Sequence, residues 1–101
     1  MNQMQQMLMQ AQRMQRELEK AHAALEAKEF IIKKAGIVEV TLLGNKTVKE
    51  IKIDPEALTK ENADMIQDTL MMAINEGLEQ IASEEEAVSE KVTGRKGAFP
   101  F

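Results

Sequence analysis

The chain contains no cysteine, tryptophan or tyrosine, and only three phenylalanines, two prolines and one histidine. Without cysteine there is no disulfide frame, which fits a reducing compartment. The scarcity of aromatics removes the stacking platforms that hold unpaired bases. Apolar runs are only a few residues long, far short of the roughly 20 that cross a bilayer. No basic start followed by an apolar block opens the chain, so a secretory signal is not expected either.

Catalytic sets are missing too. The lone His22 lies three residues after Glu19 and four before Glu26. That spacing resembles a metal grip on one helix face, but charged groups beside an apolar seam ordinarily face water. The acidic run "SEEEAVSEK" at 83–91 lacks the turns that wrap oxygen ligands around a cation. Gly94, Lys96 and Gly97 lack the Walker spacing, in which lysine precedes Ser or Thr at a helix start. No enzyme, cofactor, metal or small-molecule substrate is expected.

What is present is an ordinary globular composition: 101 residues, 44% apolar and 30% charged, the size of one domain. The net charge of −4 hides a strong segregation. Residues 28–53 hold six lysines against three glutamates, whereas 54–90 hold eleven acids and a single lysine, Lys60. Basic zones on an acidic body are compatible with a polyanionic partner, because local potential steers association more than the total does. A merely solvated surface has the same composition.

The opening "MNQMQQMLMQAQRMQRELEKAHAAL" carries helical spacing. Met4, Met7, Ala11, Met14, Leu18, Ala21 and Leu25 alternate steps of three and four, the seam of a heptad pattern. No glycine, proline or β-branched residue interrupts it, so propensity agrees with pattern and predicts a helix over about 2–26. Such a helix would be about 37 Å long at ~1.5 Å per residue. That exceeds what a compact domain with a radius of gyration of about 13 Å can cover. Part of it is therefore expected to project, its seam wet unless a second helix or chain covers it.

Three β-rich stretches follow: "EFIIKKA", "GIVEVTLLG" and "KTVKEIKID". Val38, Val40 and Leu42 share one face of the second. Gly36 is expected to turn the first strand into the second, and Gly44–Asn45 to supply positive φ for the next hairpin. Val48 is out of phase with Ile51 and Ile53, which predicts a bulge or a late strand start. Asp54 and Pro55 then suit the cap and first position of a short turn.

Asn62 with Asp64 opens a second long helix, its apolar stripe running through Ile66, Leu70, Ala73, Ile74, Gly77, Leu78 and Ile81 toward Val88. Gly77 costs about 1 kcal/mol against alanine, and close approach to a neighbouring backbone is the expected return. The predicted class is α+β in the order α-β-β-β-α: projecting helix 1–27, antiparallel three-stranded sheet 28–53, helical segment 54–91 and flexible tail 92–101. Unpaired sheet edges invite a twin chain, so a two-fold homodimer is expected.

Taken together these segments resemble the YbaB/EbfC family over essentially the whole chain. The resemblance is carried by "MQQMLMQAQRMQREL", by "GIVEVTLLGNKTVKEIKIDPEAL", by "MIQDTLMMAINEGLEQI" and by the closing Pro100–Phe101. It implies a homodimer presenting paired projecting helices like tweezers, bound to DNA in the bacterial cytoplasm, organising the nucleoid and influencing gene expression. The chain departs from the family pattern at "KKAG", where only Gly36 remains of a glycine-rich turn, and in its strongly acidic 54–90.

With few aromatics, binding to double-stranded DNA would rest on phosphate neutralisation. The candidate contacts are Arg13, Arg16 and Lys20 on the projecting helix, then Lys33 and Lys34 at the first strand's end. Lys91, Arg95 and Lys96 near the C-terminus come next, with Gln12 and Gln15 as hydrogen-bond donors to phosphate or base edges. The competing reading is a protein-interaction module gripping a partner through its Met-rich helix.

Overall fold

The computed structural model describes residues 2–93, and side chains for residues 2–91. Helix α1 spans Gln3–Ala27. Strands β1 (Glu29–Lys34), β2 (Val38–Leu43) and β3 (Val48–Ile53) follow, then two short 3-10 turns at Pro55–Ala57 and Lys60–Asn62, and helix α2, Ala63–Thr93. The α-β-β-β-α order read from the sequence is the observed one. Helix α2 runs through Thr93, two residues into the segment expected to be a tail; the rest of that tail, with Arg95 and Lys96, lies outside the described residues.

Local chemistry sets the ends of these elements. Asn2 caps α1, its side chain accepting from the Gln5 N–H at 2.8 Å, which satisfies one of the first-turn donors. Asp54 caps the first 3-10 turn by accepting from the Glu56 N–H. Asn62 acts differently from expectation: its side-chain amide donates to the Ala57 carbonyl at 3.0 Å, tying the two 3-10 turns together ahead of α2.

The sheet is antiparallel in the order β1-β2-β3. Ala35 (φ 57°) and Gly36 (φ 66°) join β1 to β2, with Ile37 N–H bonded to the Lys34 carbonyl, a type I′ turn. Between β2 and β3 the register jumps from Thr41–Glu50 to Leu42–Val48. Lys49 is thus the extra residue of a bulge, which returns Val48 to the face that carries Ile51. The positive φ of this hairpin falls on Lys46 (70°), not on Gly44 or Asn45. Gly44 is needed for another reason: a β-carbon there would stand 1.7 Å from the Leu25 carbonyl oxygen at the end of α1.

One sheet face forms the core with α2. Phe30, Ile32, Val38, Val40 and Leu42 meet Ala73 and Ile81, with Leu70, Ile74, Leu78 and Val88 packed against them and Leu25 closing the α1 end. Val40, Leu42 and Ile81 are fully buried, each contributing about 1.5–3 kcal/mol by area. Gly77 sits inside this contact because a β-carbon would lie 2.2 Å from Leu42 Cδ1. The close neighbour is a sheet side chain, not a backbone. The opposite sheet face is a ladder of charges. Lys33 and Lys52 flank Glu39 at 3.7 and 3.6 Å, and Lys49 pairs with Glu29. A face built this way belongs in water.

The molecule is long and thin, 71 × 20 × 17 Å with a radius of gyration of 19.6 Å. A compact chain of this length would measure about 13 Å. The excess is the projecting N-terminal part of α1.

Candidate nucleic-acid interface

Helix α1 divides into a root and an arm. At the root, Leu25 is buried, and Ala21, Ala24 and Leu25 face Ala87 and Val88 of α2 across a shallow cleft. Backbone bonds fasten the root to the β2–β3 turn: Gly44 N–H to the Lys28 carbonyl at 2.9 Å and Asn45 N–H to Glu26 at 3.2 Å. The Lys28 ammonium bonds Glu84 on α2 at 2.5 Å and lies over the Phe30 ring. The root is therefore fixed from three sides.

The arm is bare. Every residue from 2 to 17 is exposed, and Leu18 and Ala21 are half-buried. Met4 and Met7 are 78% and 65% exposed. The seam Met4, Met7, Ala11, Met14, Leu18, Ala21, Leu25 thus divides: its last member is core, the next two border it, and the first four face solvent. Of the other predicted apolar positions, Val38, Val40 and Ile66 are buried and Leu70 and Ile74 half-buried.

Arg13, Arg16 and Lys20 step by three and four, so they form one stripe along the arm. At about 100° per residue this stripe lies opposite the methionine seam. The three side chains border one shallow depression with Glu17, Glu19 and Ala23. Gln12 and Gln15 occupy the flank between stripe and seam, where the Gln15 amide reaches Glu19 at 3.5 Å. His22 turns toward the root and borders a depression with Leu25, Glu26, Gly44, Asn45, Lys46 and Glu85. Among the described residues no three His, Asp or Glu side chains converge as a metal site, and no helix is long and apolar enough to cross a membrane.

The lysines of the sheet behave differently from the arm's cations. Lys28 pairs with Glu84, Lys33 with Glu39, Lys34 with Glu76 at 2.7 Å, Lys46 with Glu85 at 3.4 Å, Lys49 with Glu29, and Lys52 with Glu39 and Glu50. Three of these carboxylates, Glu76, Glu84 and Glu85, come from the acidic helix α2. The bond from Glu29 and its charge raise the Lys49 ammonium above its ordinary value of 10.5. All six lysines of the 28–53 zone are therefore matched to carboxylates. Among the described residues, Arg13, Arg16, Lys20, Lys60 and Lys91 have no such partner. Lys91 lies at the rim of the α1–α2 cleft, beside the root. Sequence distance hid this pairing, since Lys28 and Glu84 are 56 positions apart.

The profile of the YbaB/EbfC DNA-binding family matches residues 1–96. Among curated proteins, a nucleoid-associated protein of Enterococcus faecalis is 40% identical over 94 residues, covering 92% of this chain and 90% of its own length. A nucleoid-associated protein of Streptococcus pneumoniae is 36% identical over 99 residues, 97% of each chain. A solved structure of an uncharacterised Helicobacter pylori protein superposes with a TM-score of 0.75 at 21% identity, covering 93% of this chain and 99% of that one, which speaks to the fold.

Proposed function

This chain belongs to the YbaB/EbfC DNA-binding family, and from that premise we propose that it binds double-stranded DNA as a homodimer through the cationic stripe of its arm. It organises the nucleoid of a bacterial cytoplasm and influences gene expression, in keeping with relatives named nucleoid-associated proteins. The observation that carries the reading is the contrast in ion pairing: Arg13, Arg16 and Lys20 stand free on an exposed helix, while every lysine of the sheet is already matched to a carboxylate. A free cation gains a phosphate partner by displacing counterions alone; a paired one must first give up its carboxylate. Lys33 and Lys34 are therefore secondary contacts, as are Gln12 and Gln15, which position the chain on the duplex by hydrogen bonds. Lys91, Arg95 and Lys96 extend the set at the other terminus.

Dimerisation is supported by apolar surface that one chain leaves uncovered, Met4 and Met7 on the arm and Val48 and Ile51 beside the core. Doubling the stripe doubles the phosphates met, which raises affinity without any aromatic or base-reading group.

The test is a binding titration across salt with a duplex of random sequence. The logarithm of affinity should fall linearly with that of salt, by about 0.9 for each phosphate neutralised. Charge reversal at Arg13, Arg16 and Lys20 should weaken binding and flatten that slope while the circular dichroism stays unchanged; an unaltered affinity rules the arm out as the contact. The alternative, a module gripping a partner protein through the same methionines, would reveal itself as a stoichiometric protein that stays bound after nuclease treatment.

A further inference from the structure

Helices α1 and α2 leave a cleft beside the root of the arm. Ala21, Ala24 and Leu25 form one wall and Ala87 and Val88 the other, with Lys28, Glu84 and Lys91 as its charged groups. On each helix the lining residues step by three, one and three, so a single face of each looks into the cleft. The Lys28–Glu84 bond closes its inner end. Ala21 and Lys91, each seven residues further along its helix, mark the outer end about 10 Å away. Small side chains keep the space open: its volume is about 360 Å³, whereas an apolar cavity of about 150 Å³ already admits benzene. Ala24 and Ala87 are exposed in it.

Phenylalanine is scarce in this chain and unevenly placed. Phe30 is buried in the core, while Phe99 and Phe101 flank Pro100, outside the described residues. Proline fixes its own φ and holds the residue before it extended, so this triplet gives up little freedom on docking. The way back to the cleft is short. Gly94 directly follows Thr93, and glycine suits the left-handed reversal that ends many helices. The middle of the cleft, level with Val88, lies about 8 Å back from Thr93. The four steps from Arg95 to Phe99 span up to about 13 Å when extended.

The rim offers charge complementarity as well. Lys91 has no carboxylate partner among the described residues and borders the cleft. An ammonium is attracted to the negative face of an aromatic ring, as Lys28 already is to Phe30, 5.2 Å from the ring centroid.

We propose that residues 94–101 fold back onto the α1–α2 cleft of their own chain and seat the Phe99 ring between Ala24 and Ala87, under the Lys91 ammonium. The docked segment adds a fastening to the root from which the arm projects, and it holds Arg95 and Lys96 at the outer end of the cleft.

Two experiments on the full chain test this. The chain has no tryptophan or tyrosine, so Phe99→Trp introduces the only indole. Its emission should shift to shorter wavelength than in denaturant. Adding Ala87→Glu or Ala24→Glu, each an exposed helix position, places an unpartnered carboxylate in the cleft and should raise acrylamide quenching at least about 3-fold with circular dichroism retained. An indole quenched equally with and without these glutamates overturns the docking. Ala87→Cys with Phe99→Cys supplies the only two thiols. Mild oxidation should join them within one chain, which stays at 11.3 kDa, at least about 10-fold faster than between chains. Thiols that stay reduced overturn the proposal, and a covalent dimer overturns it in favour of a second copy's segment in the cleft.

Discussion

Gly77 of α2 rests on Leu42 of β2, so closely that a β-carbon at 77 would stand 2.2 Å from Leu42 Cδ1. Leu42 is fully buried and has nowhere to turn. The helix therefore gives up about 1 kcal/mol of propensity at this glycine in exchange for contact between α2 and the sheet. Gly77→Ala should regain that propensity and lose more through overpacking, a net destabilisation of about 1–3 kcal/mol. A denaturant midpoint at or above wild type would show that α2 can lift off the sheet without cost.

Gly44 is the second close approach, and it acts on the arm. Gly44→Ala would press a methyl group into the Leu25 carbonyl, whose oxygen lies 1.7 Å from where that β-carbon would stand. The root must shift, with the bonds from Gly44 to Lys28 and from Asn45 to Glu26 loosened. Expected are a loss of about 2 kcal/mol of stability and faster amide exchange at residues 43–46, while the distant β1–β2 turn keeps its protection. Equal exchange at both turns would contradict a specifically anchored root.

The arm's stripe and the sheet's lysines separate in a charge-reversal series. Arg13→Glu with Arg16→Glu should reduce the salt slope of DNA binding by about 2 per protomer, about 1 for each phosphate no longer neutralised. Lys33→Gln with Lys34→Gln should change it by less than half as much, because Glu39 and Glu76 already hold those ammonium groups. Fluorescence anisotropy at four salt concentrations reads both slopes. The opposite ranking would move the interface from the arm to the sheet.

At the β1–β2 turn, Ala35 holds a positive φ of 57° that a β-carbon disfavours. Asparagine tolerates this conformation, and Asn-Gly is the preferred pair for a type I′ turn. Ala35→Asn should stabilise the fold by about 0.5–1 kcal/mol with DNA affinity unchanged, as thermal unfolding beside a binding titration would show. A lower melting temperature would mean that the turn is held by its flanking strands alone.

The bond from Lys49 to Glu29 predicts a pH response in alkali. Lys49 is raised above 10.5 by its bond to Glu29 and by that carboxylate's charge. A raised lysine stabilises fully below its unfolded value, and the contribution disappears as pH climbs through the folded one. Lys49→Gln should therefore lie below wild type by a constant amount between about pH 6 and 9, the gap closing above about pH 10.5 as the wild type loses the same contribution. A gap that widens in alkali would refute this assignment.

Periodicity carried most of the fold. The α1 seam, the alternation at Val38, Val40 and Leu42, the bulge announced by Val48 and the stripe from Ile66 to Ile81 were all legible, because local spacing decides which residues share a face. The roles of the glycines were less so. Gly44 and Gly77 read as conformational freedom or backbone contact, whereas each is set by an atom from a remote element, Leu25 O and Leu42 Cδ1. The candidate site divided in the same way. The sequence placed Arg13, Arg16 and Lys20 on the projecting helix, but it could not separate them from the sheet's lysines, which counted as equally basic.

What the chain's order of residues determined by itself was therefore the elements, their apolar faces and a helix too long for its domain, since each follows from spacing within a few turns or strands. Only the tertiary structure decided which charges remain free. Folding α2 across the sheet brings Glu76, Glu84 and Glu85 to Lys34, Lys28 and Lys46, and Coulomb attraction depends on distance through space, which a linear count of charges does not contain.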